Sequence, residues 1–121
     1  MILAALASFA VAVILGLTLV TLALRQQRGS LPLAVLHAAC AVLGLILLIW
    51  YINDATESRP AYNLAALLLV LALMGALVLL ALRIGKREFR TPPPMVVVVM
   101  HAMMGVAALI LLVVGYAHSI E

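Results

Sequence analysis

Charged side chains make up only 9% of this 121-residue chain and aromatics 5%, while 69% of its residues are hydrophobic. A soluble domain carries about 25% charged residues and about 45–50% apolar ones. A water-soluble globule is excluded, because too few polar side chains exist to coat one. The single cysteine, Cys40, excludes an internal disulfide and any metal cluster built from several thiolates of one chain. No Gly-rich phosphate loop, nucleophile elbow or zinc-protease signature is present. The long apolar runs contain no Asp or Glu, so the chain lacks the embedded carboxylate that a small proton-coupled exporter needs. The formal charge of +3 comes from basic residues set between apolar blocks, not along a polar face. That placement points to membrane topology and excludes a nucleic-acid partner.

What remains is four apolar runs. A bilayer core of about 30 Å needs about 20 apolar residues per helix. Residues 2–24, 31–52, 61–82 and 95–117 each meet that length without a charged side chain. In lipid every backbone N–H must be paired within its own segment, so each run is expected to be a helix. The connectors are short, which predicts an all-α, up-down four-helix membrane bundle in one domain. Ser30 is placed to cap the second helix with Pro32 in its first turn, and Pro60 to open the third. Pro92, Pro93 and Pro94 deliver an extended chain to the fourth.

Orientation follows from the basic residues. Arg25, Arg28, Arg83, Lys86, Arg87 and Arg90 all lie in the first and third connectors, and only Arg59 lies in the second. The first and third connectors are therefore expected on the cytoplasmic side, with both termini outside. A bacterial cytoplasmic membrane is the expected location. The Arg83–Arg90 run reads as a solvated end facing lipid headgroups. Trp50, Tyr51, Tyr62 and Tyr116 fall at the outer ends and read as an interfacial aromatic belt. No positive charge precedes the first run, which reads as a retained anchor and not a cleaved signal.

A shift of 64 residues lays the second run on the fourth. Leu36–Ile49 (LHAACAVLGLILLI) and Met100–Val113 (MHAMMGVAALILLV) agree at seven of 14 positions, including His37 with His101. The first and third runs show almost no similarity at that shift. The pattern reads as a possible two-plus-two repeat.

The aligned histidines carry the functional argument. An ionisable residue inside a span is a functional candidate by default. Each of these is the seventh residue of its run, which places both at one depth, roughly 9–10 Å below the cytoplasmic face. In an up-down bundle the second and fourth helices stand on a diagonal, roughly 11–14 Å apart given adjacent spacings of about 8–10 Å. That gap suits two inward imidazoles with one metal centre between them and is too wide for the rings to meet. Positions i+4 and i+7 share a face with each histidine. They are Ala41 and Gly44 beside His37, and Gly105 and Ala108 beside His101, with Leu48 and Leu112 closing the strips. Such cleared strips give a flat macrocycle room to pass close to the backbone, and imidazole is a common ligand to heme iron.

Other readings of the same residues stay open. Small residues on a helix face also serve direct helix packing. A buried neutral imidazole can simply bond a neighbour's hydroxyl or carbonyl, with Ser8, Thr18, Thr21 and Asn63 available and the two threonines nearest in depth. His118 reads as an interfacial residue, and Cys40 as a small packing residue. Met95, Met100, Met103 and Met104 read as adaptable packing, with a soft metal on the Met100–Met104 face as the sharper alternative.

Four spans with one histidine on the second and one on the fourth, in the contexts LHAACAVLG and MHAMMGVAA, resemble half of a heme A synthase. More broadly they resemble small b-type cytochrome membrane bundles. The resemblance implies a heme b held between His37 and His101. The chain departs from the synthase in having one four-helix unit and no membrane-embedded carboxylate. The leading expectation is thus a small membrane cytochrome, or a heme-carrying subunit of a membrane redox complex, that passes electrons. No catalytic constellation lies in the chain, so a bound cofactor would supply the chemistry. The alternative is an accessory subunit of a larger membrane complex whose histidines only pack. A small oligomeric transporter ranks third.

Overall fold

The computed structural model describes residues 1–25, 30–55, 59–85 and 94–119, with 82–85 in backbone only. The expectations for Arg28, for Lys86–Arg90 and for Pro92–Pro93 lie outside these residues. Four helices account for nearly all the rest: α1 (Ile2–Leu24), α2 (Leu31–Asn53), α3 (Pro60–Gly85) and α4 (Met95–Ser119). Among the described residues there is no strand. All four helices are long and apolar enough to cross a membrane.

The boundaries follow local chemistry. The Ser30 hydroxyl accepts from the Leu33 N–H at 3.4 Å, and Pro32 occupies the first turn of α2, where its missing N–H costs nothing. Pro60 opens α3 for the same reason. The structure carries α3 past the expected end at 82 to Gly85 and α4 past 117 to Ser119. A helix pairs its own backbone as well in the headgroup layer as in hydrocarbon, so it need not stop where the apolar residues do.

The chain is built as two antiparallel hairpins. α1 packs along α2 and α3 along α4, and the hairpins meet through narrower α1–α4 and α2–α3 contacts. α2 and α4 therefore stand on a diagonal, as expected, and so do α1 and α3. A central cluster of Ala5, Phe9, Leu48, Tyr62, Ala65, Ala108 and Leu112 fills the half of the bundle that holds both termini. Large aliphatics point outward instead, Ile14 and Leu31 being 64% and 66% exposed. This inversion suits lipid, where burying a leucine gains nothing and close backbone approach at small residues drives packing.

Gly44 shows how close that approach is. A Cβ there would meet the Phe9 ring at 2.9–3.0 Å, so the ring lies directly on the α2 backbone. Phe9 is 3% exposed in consequence. Tyr62 departs from its expected place in an outward aromatic belt. It is buried in the core cluster, edge-to-face with Tyr51 at 5.4 Å. Gly115 is the reason, because it leaves room for the Tyr62 ring against α4.

Gly44→Ala is expected to push Phe9 off its seat and destabilise the α1–α2 hairpin by about 1–3 kcal/mol. In the Phe9→Leu background the same substitution costs less. Reversible unfolding in mixed micelles measures both, and equal costs in the two backgrounds refute the contact.

Candidate functional site

His37 and His101 meet across the diagonal. Their ring centroids are 6.0 Å apart, with the ring planes at 72°. Each is the seventh residue of its helix, as the sequence predicts. The approach is closer than expected, for the rings come near edge contact. Imidazole reaches well beyond its Cα, and two inward-turned side chains close a diagonal that the backbones leave open.

Each ring is held by the other helix of its own hairpin. His37 Nδ1 lies 2.7 Å from the Ala12 carbonyl oxygen on α1, and His101 Nδ1 lies 2.7 Å from that of Ala72 on α3. A carbonyl only accepts, so each Nδ1 carries the proton and donates, and each Nε2 keeps its lone pair. Thr18 and Thr21, the hydroxyls nearest in depth, are not the partners. Each bonds back to its own helix, to Ile14 O at 2.9 Å and Leu17 O at 2.8 Å. Such back-bonding is the common resting place of a helical hydroxyl.

Two glycines, absent from the sequence-based site, stand beside the carbonyls, and one of them, Gly16, is needed for its histidine to fit. A helix carbonyl points along the axis toward residues three and four positions on, whose side chains shield it. Four on from Ala12 is Gly16, and three on from Ala72 is Gly75. A Cβ at Gly16 would stand 3.0 Å from His37 Cε1 and 3.3 Å from Nδ1, tighter than ordinary packing. At Gly75 it would stand 3.5 Å from His101 Cβ, an ordinary contact. The readable signal was a glycine in the interior of each helix, Gly16 in α1 and Gly75 in α3. The alanine acceptors are 60 residues apart, whereas the histidines are 64 apart. That four-residue slip, about one helical turn, hid the match between α1 and α3 from a search at a shift of 64. At 60, Ala5 falls on Ala65 and Ala12 on Ala72, all four of them buried.

The expected cleared strips are uneven. Gly105 does face open space, since a Cβ there would meet nothing within 4 Å. Ala41 is half-buried. Gly44 is filled by Phe9, and Ala108 is fully buried in the core cluster. Cys40 is a free, half-buried thiol, and His118 is exposed with Nδ1 donating to Val114 O at 2.9 Å.

The donor set can be tested against a metal centre. Two imidazoles on opposite sides of one metal, each bonded at about 2 Å, hold their centroids roughly 6 Å apart. The observed 6.0 Å fits that spacing. Bonding Nδ1–H to a backbone carbonyl is also how metal-ligating histidines are commonly oriented. Among the described residues no group of three or more His, Cys, Asp or Glu could hold a bare ion. The pair thus suits a centre that brings its other ligands with it. No known protein family, curated protein or solved structure matches this chain.

The two glycines should respond with opposite signs. Gly16→Ala displaces the His37 ring and is expected to destabilise by about 1–3 kcal/mol. Gly75→Ala is expected to be neutral or to stabilise by up to about 1 kcal/mol, as alanine does in an open helix position. Unfolding in mixed micelles reads both, and a similar loss in the two variants refutes the asymmetry.

Proposed function

We propose that this chain is a small multi-pass membrane cytochrome that holds a b-type heme between His37 and His101. It would pass electrons alone or as a subunit of a larger membrane redox complex. The observation that carries the reading is the pair of imidazoles 6.0 Å apart, each with Nδ1 on a backbone carbonyl, which leaves Nε2 free in the neutral ring. When bound, the heme supplies one-electron chemistry that the chain itself lacks. A tetrapyrrole would also bring ring nitrogens of its own, and among the described residues no group of three or more His, Cys, Asp or Glu stands together to hold a bare ion. The residues' part is to orient. Ala12 and Ala72 fix the ring planes, Gly16 admits the His37 ring, and the apolar walls exclude water. Gly105 offers open space on α4 for the edge of a flat ring. On α2 the position matching Gly105 is Ala41, which is half-buried, and one turn further on Phe9 fills Gly44.

The setting we propose is a bacterial cytoplasmic membrane with both termini outside. It is supported by six of the seven basic residues lying in the first and third connectors. A second reading is an accessory subunit with packing histidines. It is favoured by the same two Nδ1–H bonds, which already satisfy one nitrogen of each ring without any guest.

An absorption spectrum of the protein purified from heme-supplemented cells decides between them. A Soret band is expected, and it should vanish in the His37→Ala, His101→Ala double variant. Colourless protein, or a band that survives both substitutions, removes the cytochrome reading. Co-purification of other subunits at fixed stoichiometry without pigment would favour the accessory one. For topology, reporter fusions at either terminus should be active outside and silent inside, and fusions in the first connector the reverse.

A further inference from the structure

A second constellation lies far from the histidine pair, where α2 gives way to α3 and α4 ends. There a cavity of about 540 Å³ is lined by Arg59, Tyr62, Val114, Gly115, His118 and Ser119, among others. The Arg59 guanidinium stacks 4.5 Å above the Tyr51 ring and 6.0 Å from that of Tyr62. Tyr62 is 3% exposed, and its hydroxyl oxygen is buried with no hydrogen-bond partner. Arg59 Nη1 is likewise buried and unpartnered. Tyr62 and Gly115 both line the cavity, with the phenol ring packed against the Gly115 backbone.

The other polar groups of the wall are already used. His118 donates to Val114 O, and the Ser119 hydroxyl donates to Tyr116 O at 2.7 Å. What remains unmatched is two donors, Arg59 Nη1 and the Tyr62 O–H, and among the described lining residues none is acidic. A buried donor without an acceptor is costly, and a buried positive charge more so. A guest that supplies negatively charged oxygen removes both costs. Arginine's fork matches such oxygens two at a time. The first backbone N–H groups of α3 add a further positive end.

We propose that this cavity is a phosphate-oxyanion site, with Arg59 and Tyr62 as its donors. Its level, beside Tyr51 and Tyr62 at the end of the spans, is the level of lipid phosphates. The same chemistry would also accept free phosphate.

The test uses the full chain in a phosphate-free detergent with two probes, phosphatidylglycerol and inorganic phosphate. Native mass spectrometry counts retained lipid, and phosphorus NMR line broadening follows inorganic phosphate. Arg25→Gln, at the opposite end of the bundle, controls for general attraction to basic residues. Wild type and Arg25→Gln are expected to hold a probe that Arg59→Gln and Tyr62→Phe bind about tenfold more weakly or worse. Lipid retention without phosphate broadening identifies the lipid source, and the reverse identifies free phosphate. Equal binding in all four proteins, or no binding of either probe, overturns the proposal. Thermal unfolding guards against misfolded variants. Without probe, Tyr62→Phe should unfold at the wild-type temperature or above it, since it only removes an unpaired hydroxyl. With probe, wild type should gain stability and Tyr62→Phe should not; an equal gain in both also overturns the site.

Discussion

Two imidazole-to-carbonyl hydrogen bonds set the geometry of this bundle. In hydrocarbon an unpaired polar group costs several kcal/mol, because no water is at hand to take its place. Each histidine therefore has to find an acceptor on a neighbouring helix, and α1 and α3 offer Ala12 and Ala72. Once those bonds form, the rotation of α2 and α4 about their own axes is no longer free. The residues seven positions beyond each histidine, Gly44 and Ala108, turn inward with it and are buried. Leu48 and Leu112, eleven positions on, become the two largest fully buried side chains.

The apolar packing follows from that rotation. Lipid tails are as apolar as leucine, so the bundle gains little by hiding leucine and much by bringing backbones close. Ala5, Ala12, Ala65, Ala72 and Ala108 line the helix contacts, and two large rings lie against bare backbone, Phe9 at Gly44 and Tyr62 at Gly115. The packed half, near the termini, and the histidine pair thus divide the bundle between them. One half supplies rigidity, and the other holds two lone pairs in a fixed relation. A site used for ligation benefits from such support, because ligand orientation is set by the groups behind the ligands.

Much of the fold could be read directly from the residues. α1 was legible to the residue, and the other three helices to within a few residues at their ends. The matching places of His37 and His101 were also legible, because both count seven from a clear helix start. The diagonal placement of α2 and α4 came from connector length alone. The partners of the histidines were not legible. A backbone carbonyl leaves no mark in sequence, and hydroxyls at the right depth drew attention that the structure gives to Ala12 and Ala72. The small strips misled in part for a related reason. A glycine announces space but not its tenant, so Gly44 and Gly105 look alike in sequence while one holds a phenylalanine and the other holds nothing. That Tyr62 would turn inward at its end of the span was not legible, for want of any sign that Gly115 would admit it to the core.

By itself, then, the sequence determined that this is a chain of four helices long and apolar enough to span a membrane, with a histidine seventh in the second and in the fourth. Hydrophobic run length and backbone pairing are one-dimensional constraints, and they act within each segment. Only the tertiary structure decided that the imidazoles turn toward one another at 6.0 Å with their Nδ1 protons committed. Helix rotation and the filling of each gap depend on residues 25 to 64 positions apart, and those choices are made only when the helices meet.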